Sequence, residues 1–160
     1  MKIGTLSRKG DILIILLSLL VFYIFAYASL YIDFHADEAI YYDAIVMTLR
    51  NDSGLFYIAF YSFIENIIPG VAGARIGSSL LGGLTLLMIL NTFKYLGVSQ
   101  IKNYLLITGV FLISYQSFFL FDRVRPEASW WFITSALFYT LTRLSHNKCA
   151  LNIYLVSIFT

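Results

Sequence analysis

Charged residues divide this chain into long apolar stretches. Four charge-free runs of 21, 18, 19 and 15 residues lie between successive groups of charged side chains, and the last twelve residues are uncharged as well. A helix that crosses a bilayer needs about 20 predominantly apolar residues, within a range of about 17–25. The pattern predicts four membrane-spanning helices and the beginning of a fifth. Their bounds are about 12–32, 76–93, 103–121, 128–142 and 149–160.

The fourth run is short for a span, but Trp130 and Trp131 stand at its beginning. Tryptophan is enriched where a helix passes through the membrane–water interface. The pair therefore favours a fourth span.

The composition agrees with a membrane protein. Hydrophobic residues make up 59% of the 160 residues and charged residues 12%, whereas soluble domains carry about 25% charged residues. The single cysteine, Cys149, excludes an internal disulfide and a cysteine metal cluster. A net charge of +2 is too small to indicate a nucleic acid partner. The predicted fold class is an all-α integral membrane protein, a polytopic helical bundle.

The region 33–75 is too long and too apolar to be a simple polar loop. Residues 36–50 place apolar side chains at helical spacing, and residues 53–64 are apolar and aromatic but too short to span. Both read as helices that lie in the membrane interface. Gly54 and Pro69-Gly70 mark their ends. We therefore predict an outer interfacial loop over 33–75.

The distribution of lysine and arginine predicts the orientation of the chain. Segments 1–11, 94–102 and 143–148 hold seven of the 11 basic residues, whereas segments 33–75 and 122–127 hold four. Cytoplasmic loops carry the excess of basic residues in membrane proteins. The N-terminus is thus predicted to be cytoplasmic, in a multi-pass protein of the plasma (inner) membrane.

The N-terminal apolar run has a second interpretation. Basic residues precede it, and Ala26-Tyr27-Ala28 resembles the small-residue cleavage site of a signal peptide. The run continues to Ile32, however, which is full spanning length. We expect the segment to be retained as a helix.

Two short motifs on the predicted outer side could carry chemistry. One is HADEA, residues 35–39, just beyond the first span; the other is DRVRPE, residues 122–127, before the fourth. An acid at the mouth of a span can act as a general base, and neighbouring arginines suit phosphate because the guanidinium fork binds two oxygens. A helix cap and a topology-determining loop remain the alternative interpretation.

These residues resemble the N-terminal part of the GT-C glycosyltransferases. The similarity is to the group that uses lipid-phosphate sugars, which includes protein mannosyltransferases, aminoarabinose transferases and Rgt-type transferases. It rests on the pair Asp37-Glu38 after the first span, the interfacial loop, GARIGSSLLGGL at 73–84 and FDRVRPEASWW at 121–131. It covers nearly the whole chain, which would form a partial GT-C module.

The resemblance implies inverting transfer of a sugar from a polyprenyl-phosphate donor to a hydroxyl acceptor on the outer face. Carried over by position, Asp37 is the candidate general base, Glu38 would orient it, and Asp122 is a second acidic residue of the site. Chemistry alone, rather than the family pattern, suggests three arginines for the donor phosphate. They are Arg75, Arg123 and Arg125.

The implied partners are the donor, a glycan, lipid or protein acceptor, and the lipid bilayer, with no nucleic acid. No cofactor is required by the motifs. A divalent metal stays open, since some relatives in the broader fold use one, and His35 with Asp37 forms a weak candidate pair of ligands.

GT-C enzymes usually have more spans, so the chain is expected to be a fragment that is incomplete on its own. A different class also fits the pattern: a non-catalytic polytopic membrane module, such as a transporter fragment or an assembly subunit. The absence of charge within the predicted spans weakens transport, because transporters often place ionisable groups at mid-membrane.

Overall fold

The structure is a computed structural model, and it describes residues 8–31, 42, 55–98, 100–114, 117, 121 and 123–147. This part of the chain is helical and contains no strand, which confirms the predicted all-α class. Its helices are α1 (Arg8–Ser29), α2 (Leu55–Ile67), α3 (Val71–Tyr95), α4 (Ile101–Ile113) and α5 (Pro126–Asn147).

Two of these helices are long and apolar enough to cross a membrane. They are Gly10–Ser29 within α1, with 20 residues, and the 25-residue α3. The helix α1 covers residues 12–29 of the predicted span 12–32, whereas α3 contains all of the run 76–93 and begins five residues before it. The apolar helix α4 has 13 residues and ends well inside the run 103–121, because Ser114 has an extended backbone (φ −61°, ψ 120°).

Glycines with positive φ mark both ends of α3. Gly70, at φ 93°, precedes the helix, and Gly97, at φ 90°, follows it. At the C-terminal end the amide of Val98 donates to the carbonyl of Phe93, and that of Gly97 to Lys94, each at 3.0 Å. This is the Schellman arrangement, in which a left-handed residue lets the chain turn back and satisfy the last carbonyls.

The central helix is α3, which packs against each of the other four. It runs antiparallel to α1. Lys94 near its end forms an ion pair with Asp11 near the start of α1, and Arg75 near its start binds the carbonyl of Ser29 at the end of α1. The core between the helices is formed by buried side chains from every one of them and by Phe121, which lies between α4 and α5 in the sequence. These include Ile14, Leu17, Val21, Phe25, Tyr57, Tyr61, Leu81, Leu86, Leu90, Tyr104, Phe111, Phe121 and Ala128.

Two adjacent glycines allow α1 to approach α3 closely. A Cβ on Gly83 would lie 2.9 Å from the carbonyl oxygen of Ser18 and 3.0 Å from Cβ of Phe22. A Cβ on Gly82 would lie 2.9 Å from the rings of Phe25 and Phe121. Real Cβ atoms essentially never lie so close to other atoms. The short distance between α1 and α3 therefore depends on having glycine, which has no side chain, at both positions.

Three phenylalanines join α1, α4 and the chain before α5. The ring centroid of Phe121 lies 5.8 Å from that of Phe25 and 5.8 Å from that of Phe111. The centroids of Phe25 and Phe111 are 6.2 Å apart. Separations of 4.5–7 Å are the preferred range for aromatic pairs. The cluster holds Phe121, which lies just before the arginine-rich motif in the sequence, against α1 and α4.

Candidate functional site

The arginines of interest lie at one end of the bundle, where α1 ends and α3 and α5 begin. Nη1 of Arg75 donates to the carbonyl oxygen of Ser29 at 2.8 Å. One turn further along α3, Oγ of Ser79 lies 3.0 Å from the carbonyl oxygen of Phe121. Arg125 directly precedes the first residue of α5. We call this end, defined by Arg75, Arg123 and Arg125, the arginine end.

Arg75 is only 8% exposed, and its position has a structural reason. The last turn of α1 carries no basic residue of its own. A cation is favourable at the C-terminal end of a helix, where carbonyl groups lack partners within the helix. Arg75 supplies that cation from α3, so at least one of its contacts stabilises the pairing of α1 with α3.

Arg123 and Arg125 flank a fully buried residue, Val124, in the short non-helical chain before α5. Arg125 is 8% exposed, whereas Arg123 is half-buried. Pro126 is the first residue of α5 and Glu127 lies in its first turn. Proline fits the first helical position because no amide donor is needed there, and an acid is favourable at that end of the helix dipole.

A buried tyrosine connects α2 with the arginine end. The hydroxyl of Tyr61 lies 2.6 Å from Oγ of Ser78, next to Ser79 on α3. Burial raises the pKa of Tyr61 strongly; the Ser78 hydrogen bond opposes that shift, and the negative charge of Glu127 adds to it. The hydroxyl therefore stays protonated and neutral. Sequence reasoning missed this contact, because nothing in the spacing pairs residues 61 and 78.

Glu65 makes a second contact that the sequence did not reveal. Its Oε1 accepts a hydrogen bond of 2.8 Å from the hydroxyl of Tyr42, and both of its oxygens lie 3.1 Å from the amide nitrogen of Gly70. The carboxylate thus lies at the beginning of α3, the helix that carries Arg75. The sequence does place an acid four residues before Pro69-Gly70, but nothing in the predicted outer loop 33–75 singled it out.

The remaining predicted site residues lie outside the described residues. They are His35, Asp37, Glu38 and Asp122. Phe121 and Arg123, the neighbours of Asp122, are described and belong to the arginine end. The end of α1, after which the first acidic motif follows, is held there by Arg75. The structure thus places the three arginines, the end of α1 and Phe121 at one end of the bundle.

Within the described ranges, no group of three or more histidine, cysteine, aspartate or glutamate side chains is arranged to hold a metal ion. The predicted ligands His35 and Asp37 are not among those ranges. The suggestion of a divalent metal therefore stays a prediction.

Two shallow grooves follow the surface of α5, and both are apolar. One, of about 350 Å³, is lined by Trp130, Trp131, Thr134, Ser135 and Phe138. The other, of about 190 Å³, shares Ser135 and Phe138 and continues onto α3 at Ile89, Thr92 and Phe93. Neither groove is lined by an arginine, so neither extends to the three arginines.

Comparison with other proteins adds no assignment. The chain matches no protein-family model, no curated protein and no solved structure. The resemblance to GT-C glycosyltransferases accordingly stays a prediction from the motifs.

Proposed function

We propose that this chain is part of a polytopic membrane glycosyltransferase that transfers a sugar from a polyprenyl-phosphate donor to a hydroxyl acceptor. One observation carries the proposal: Arg75 and Arg125, both 8% exposed, lie at the end of the bundle where α1 ends and α5 begins. In the sequence, one acidic motif follows α1 and the other leads into α5. Cationic forks suit a reaction in which a phosphate leaves, and a carboxylate from either motif suits the removal of a proton from a hydroxyl.

The outer surface of α1 supports a membrane environment. Its buried residues face α3, whereas the opposite face exposes large apolar side chains such as Leu16 at 56% and Tyr23 at 64%. Monomeric soluble proteins rarely expose contiguous apolar patches larger than a few hundred Å². Lipid would cover such a face, and the short helices α2 and α4 would lie beside the spans.

The proposed reaction divides between the acidic and the basic groups. Asp37 accepts the proton of the acceptor hydroxyl, and the acceptor oxygen forms a bond to the anomeric carbon of the donor. The bond between that carbon and the phosphate oxygen breaks, and the polyprenyl phosphate leaves with its electron pair. Arg123 and Arg125 stabilise the departing anion, since fixed positive charge at a developing negative charge lowers the barrier.

A non-catalytic membrane module is the second candidate. The contact of Arg75 with the carbonyl of Ser29 favours it, because an arginine with a purely structural role makes the same contact. The two candidates differ in one measurable property, the ability to transfer a sugar.

The test of the function is a transfer assay. Membranes that contain the full-length protein are incubated with a panel of labelled polyprenyl-phosphate sugars, and label in protein, glycan and lipid fractions is counted. We expect transfer from at least one donor, absent in membranes with an Asp37→Asn variant. No transfer from any donor, by protein that is inserted and folded, would leave the non-catalytic module as the better account.

Topology gives a separate prediction. Asn51 and Asn103 lie on opposite sides in the predicted arrangement, because an odd number of spans separates them. Each is replaced by cysteine in a background that lacks Cys149. A membrane-impermeant thiol reagent is expected to label the Asn51→Cys protein in intact cells and the Asn103→Cys protein only after the membrane is opened. Labelling of both from outside contradicts the arrangement.

A further inference from the structure

Glu65 connects two parts of the chain that are distant in sequence. Tyr42, 23 residues earlier, donates its hydroxyl proton to Oε1 at 2.8 Å. Gly70, five residues later, presents its amide to both carboxylate oxygens at 3.1 Å. Glu65 and Tyr42 are both half-buried, so water competes less for these hydrogen bonds than at an open surface.

The contact with Gly70 has a clear role in the fold. Gly70 precedes α3 and has no side chain that could cap the helix. The carboxylate of Glu65 lies at that end instead, where a negative charge is favourable because the first amide groups of α3 point toward it. The end of α2 is thereby joined to the start of the central helix.

The contact with Tyr42 is not needed for capping, and it attaches a residue from outside α2 and α3 to Glu65. An ionised carboxylate has about four acceptor positions, and one of them on Oε1 holds the tyrosine hydroxyl. Tyr42 belongs to the region between α1 and α2 and follows the candidate base Asp37 by five residues. Five residues of chain span at most about 18 Å, so a fixed Tyr42 limits how far Asp37 can be from α3.

We propose that Glu65 is a positioning residue, which holds Tyr42 against the start of α3 and so limits, through the length of the intervening chain, the distance of the candidate base Asp37 from that helix. The role in catalysis rests on the proposed function. Arg75 lies in the first turns of the same helix, so the contact fixes Tyr42 relative to the helix that carries this arginine. Glu65 itself does not take part in the chemistry.

The test uses the full-length protein and single-atom changes. Tyr42→Phe removes only the hydroxyl and leaves the contact of Glu65 with Gly70 in place. We expect it to lower kcat about tenfold, the effect of one lost hydrogen bond to a charged group, and to change KM for the donor less than about twofold. The matched control is Tyr23→Phe, the same change on the exposed side of α1, where Tyr23 is 64% exposed; its kcat should stay at the wild-type value.

Variants of Glu65 separate positioning from folding. Glu65→Gln keeps an acceptor oxygen for Tyr42 and should retain more of the kcat than Glu65→Ala. In detergent, the loss of unfolding temperature in the Tyr42→Phe, Glu65→Ala double variant should be smaller than the sum of the two single losses, because both changes remove the same hydrogen bond. If Glu65→Ala fails to fold, the kcat of Tyr42→Phe alone tests the positioning role of Glu65.

A failure of the proposed reaction and a failure of the contact between Glu65 and Tyr42 give different results in these experiments. An active wild type whose Tyr42→Phe variant keeps its kcat overturns the positioning role and leaves the proposed function. Additive losses of stability overturn the contact itself. A folded wild type without any transfer overturns the proposed function and the positioning role with it.

Discussion

Asp37→Asn in the full-length protein is expected to reduce sugar transfer by about 10²–10⁴-fold, the range that general-base catalysis contributes. Asparagine keeps the shape and hydrogen-bonding capacity of aspartate but cannot accept the proton of the acceptor hydroxyl. The measurement is the rate of transfer from a labelled polyprenyl-phosphate sugar, normalised to the amount of inserted protein. Expression and membrane insertion should match those of the wild type.

The same substitution distinguishes a catalytic Asp37 from a capping one. Asparagine caps a helix about as well as aspartate does, so a structural role predicts almost no change in activity. The companion variant is Arg123→Lys, which keeps the charge but loses the planar fork. It should raise the donor KM and leave the unfolding temperature nearly unchanged. A fully active Asp37→Asn protein removes the assignment of the base.

Gly83→Ala is expected to destabilise the folded protein by about 1–3 kcal/mol, the usual cost of overpacking. The new Cβ would lie 2.9 Å from the carbonyl oxygen of Ser18, and backbone atoms cannot turn away as a side chain can. The two helices would have to separate along the interface that contains Phe22 and Gly82. The measurement is the unfolding temperature in detergent, and the signal that reports unfolding is the near-ultraviolet circular dichroism of the packed aromatic side chains.

Gly109→Ala is the matched control for this prediction. Gly109 lies in α4, and a Cβ there meets no atom within 4 Å. Alanine is a better helix former than glycine by about 1 kcal/mol, so this variant should be as stable as the wild type or slightly more stable. Equal effects of the two substitutions would show that the close contact of α1 with α3 is not what Gly83 provides.

Much of the helical architecture could be predicted from the order of polar and apolar residues. The charge-free runs 12–32 and 76–93 correspond to the two helices long and apolar enough to cross a membrane, and 53–64 anticipates α2. Helix ends were less accessible. The break at Ser114 depends on backbone angles that the continuous apolar run 103–121 does not signal, and α3 begins before Arg75 because Gly70 permits the preceding turn.

The candidate site was predictable as a set of residue types but not as an arrangement. The guanidinium groups of Arg75, Arg123 and Arg125 suit phosphate wherever they occur, and the sequence alone identifies them. Their common location depends on Arg75 reaching Ser29 and on Phe121 packing near Ser79. Such contacts join residues more than 40 positions apart, and no local pattern encodes them.

The sequence by itself determined the helical tendency and the polarity of each segment. Charge and apolarity decide locally whether a segment is helical and whether it tolerates lipid, because these properties depend on the residue and its near neighbours. The tertiary structure alone decided which helices pair. Gly82 and Gly83 let α1 approach α3, Arg75 completes the end of α1, and Glu65 joins Tyr42 to Gly70. Steric fit and hydrogen bonds between distant residues are properties of the packed whole, so they appear only when the helices meet.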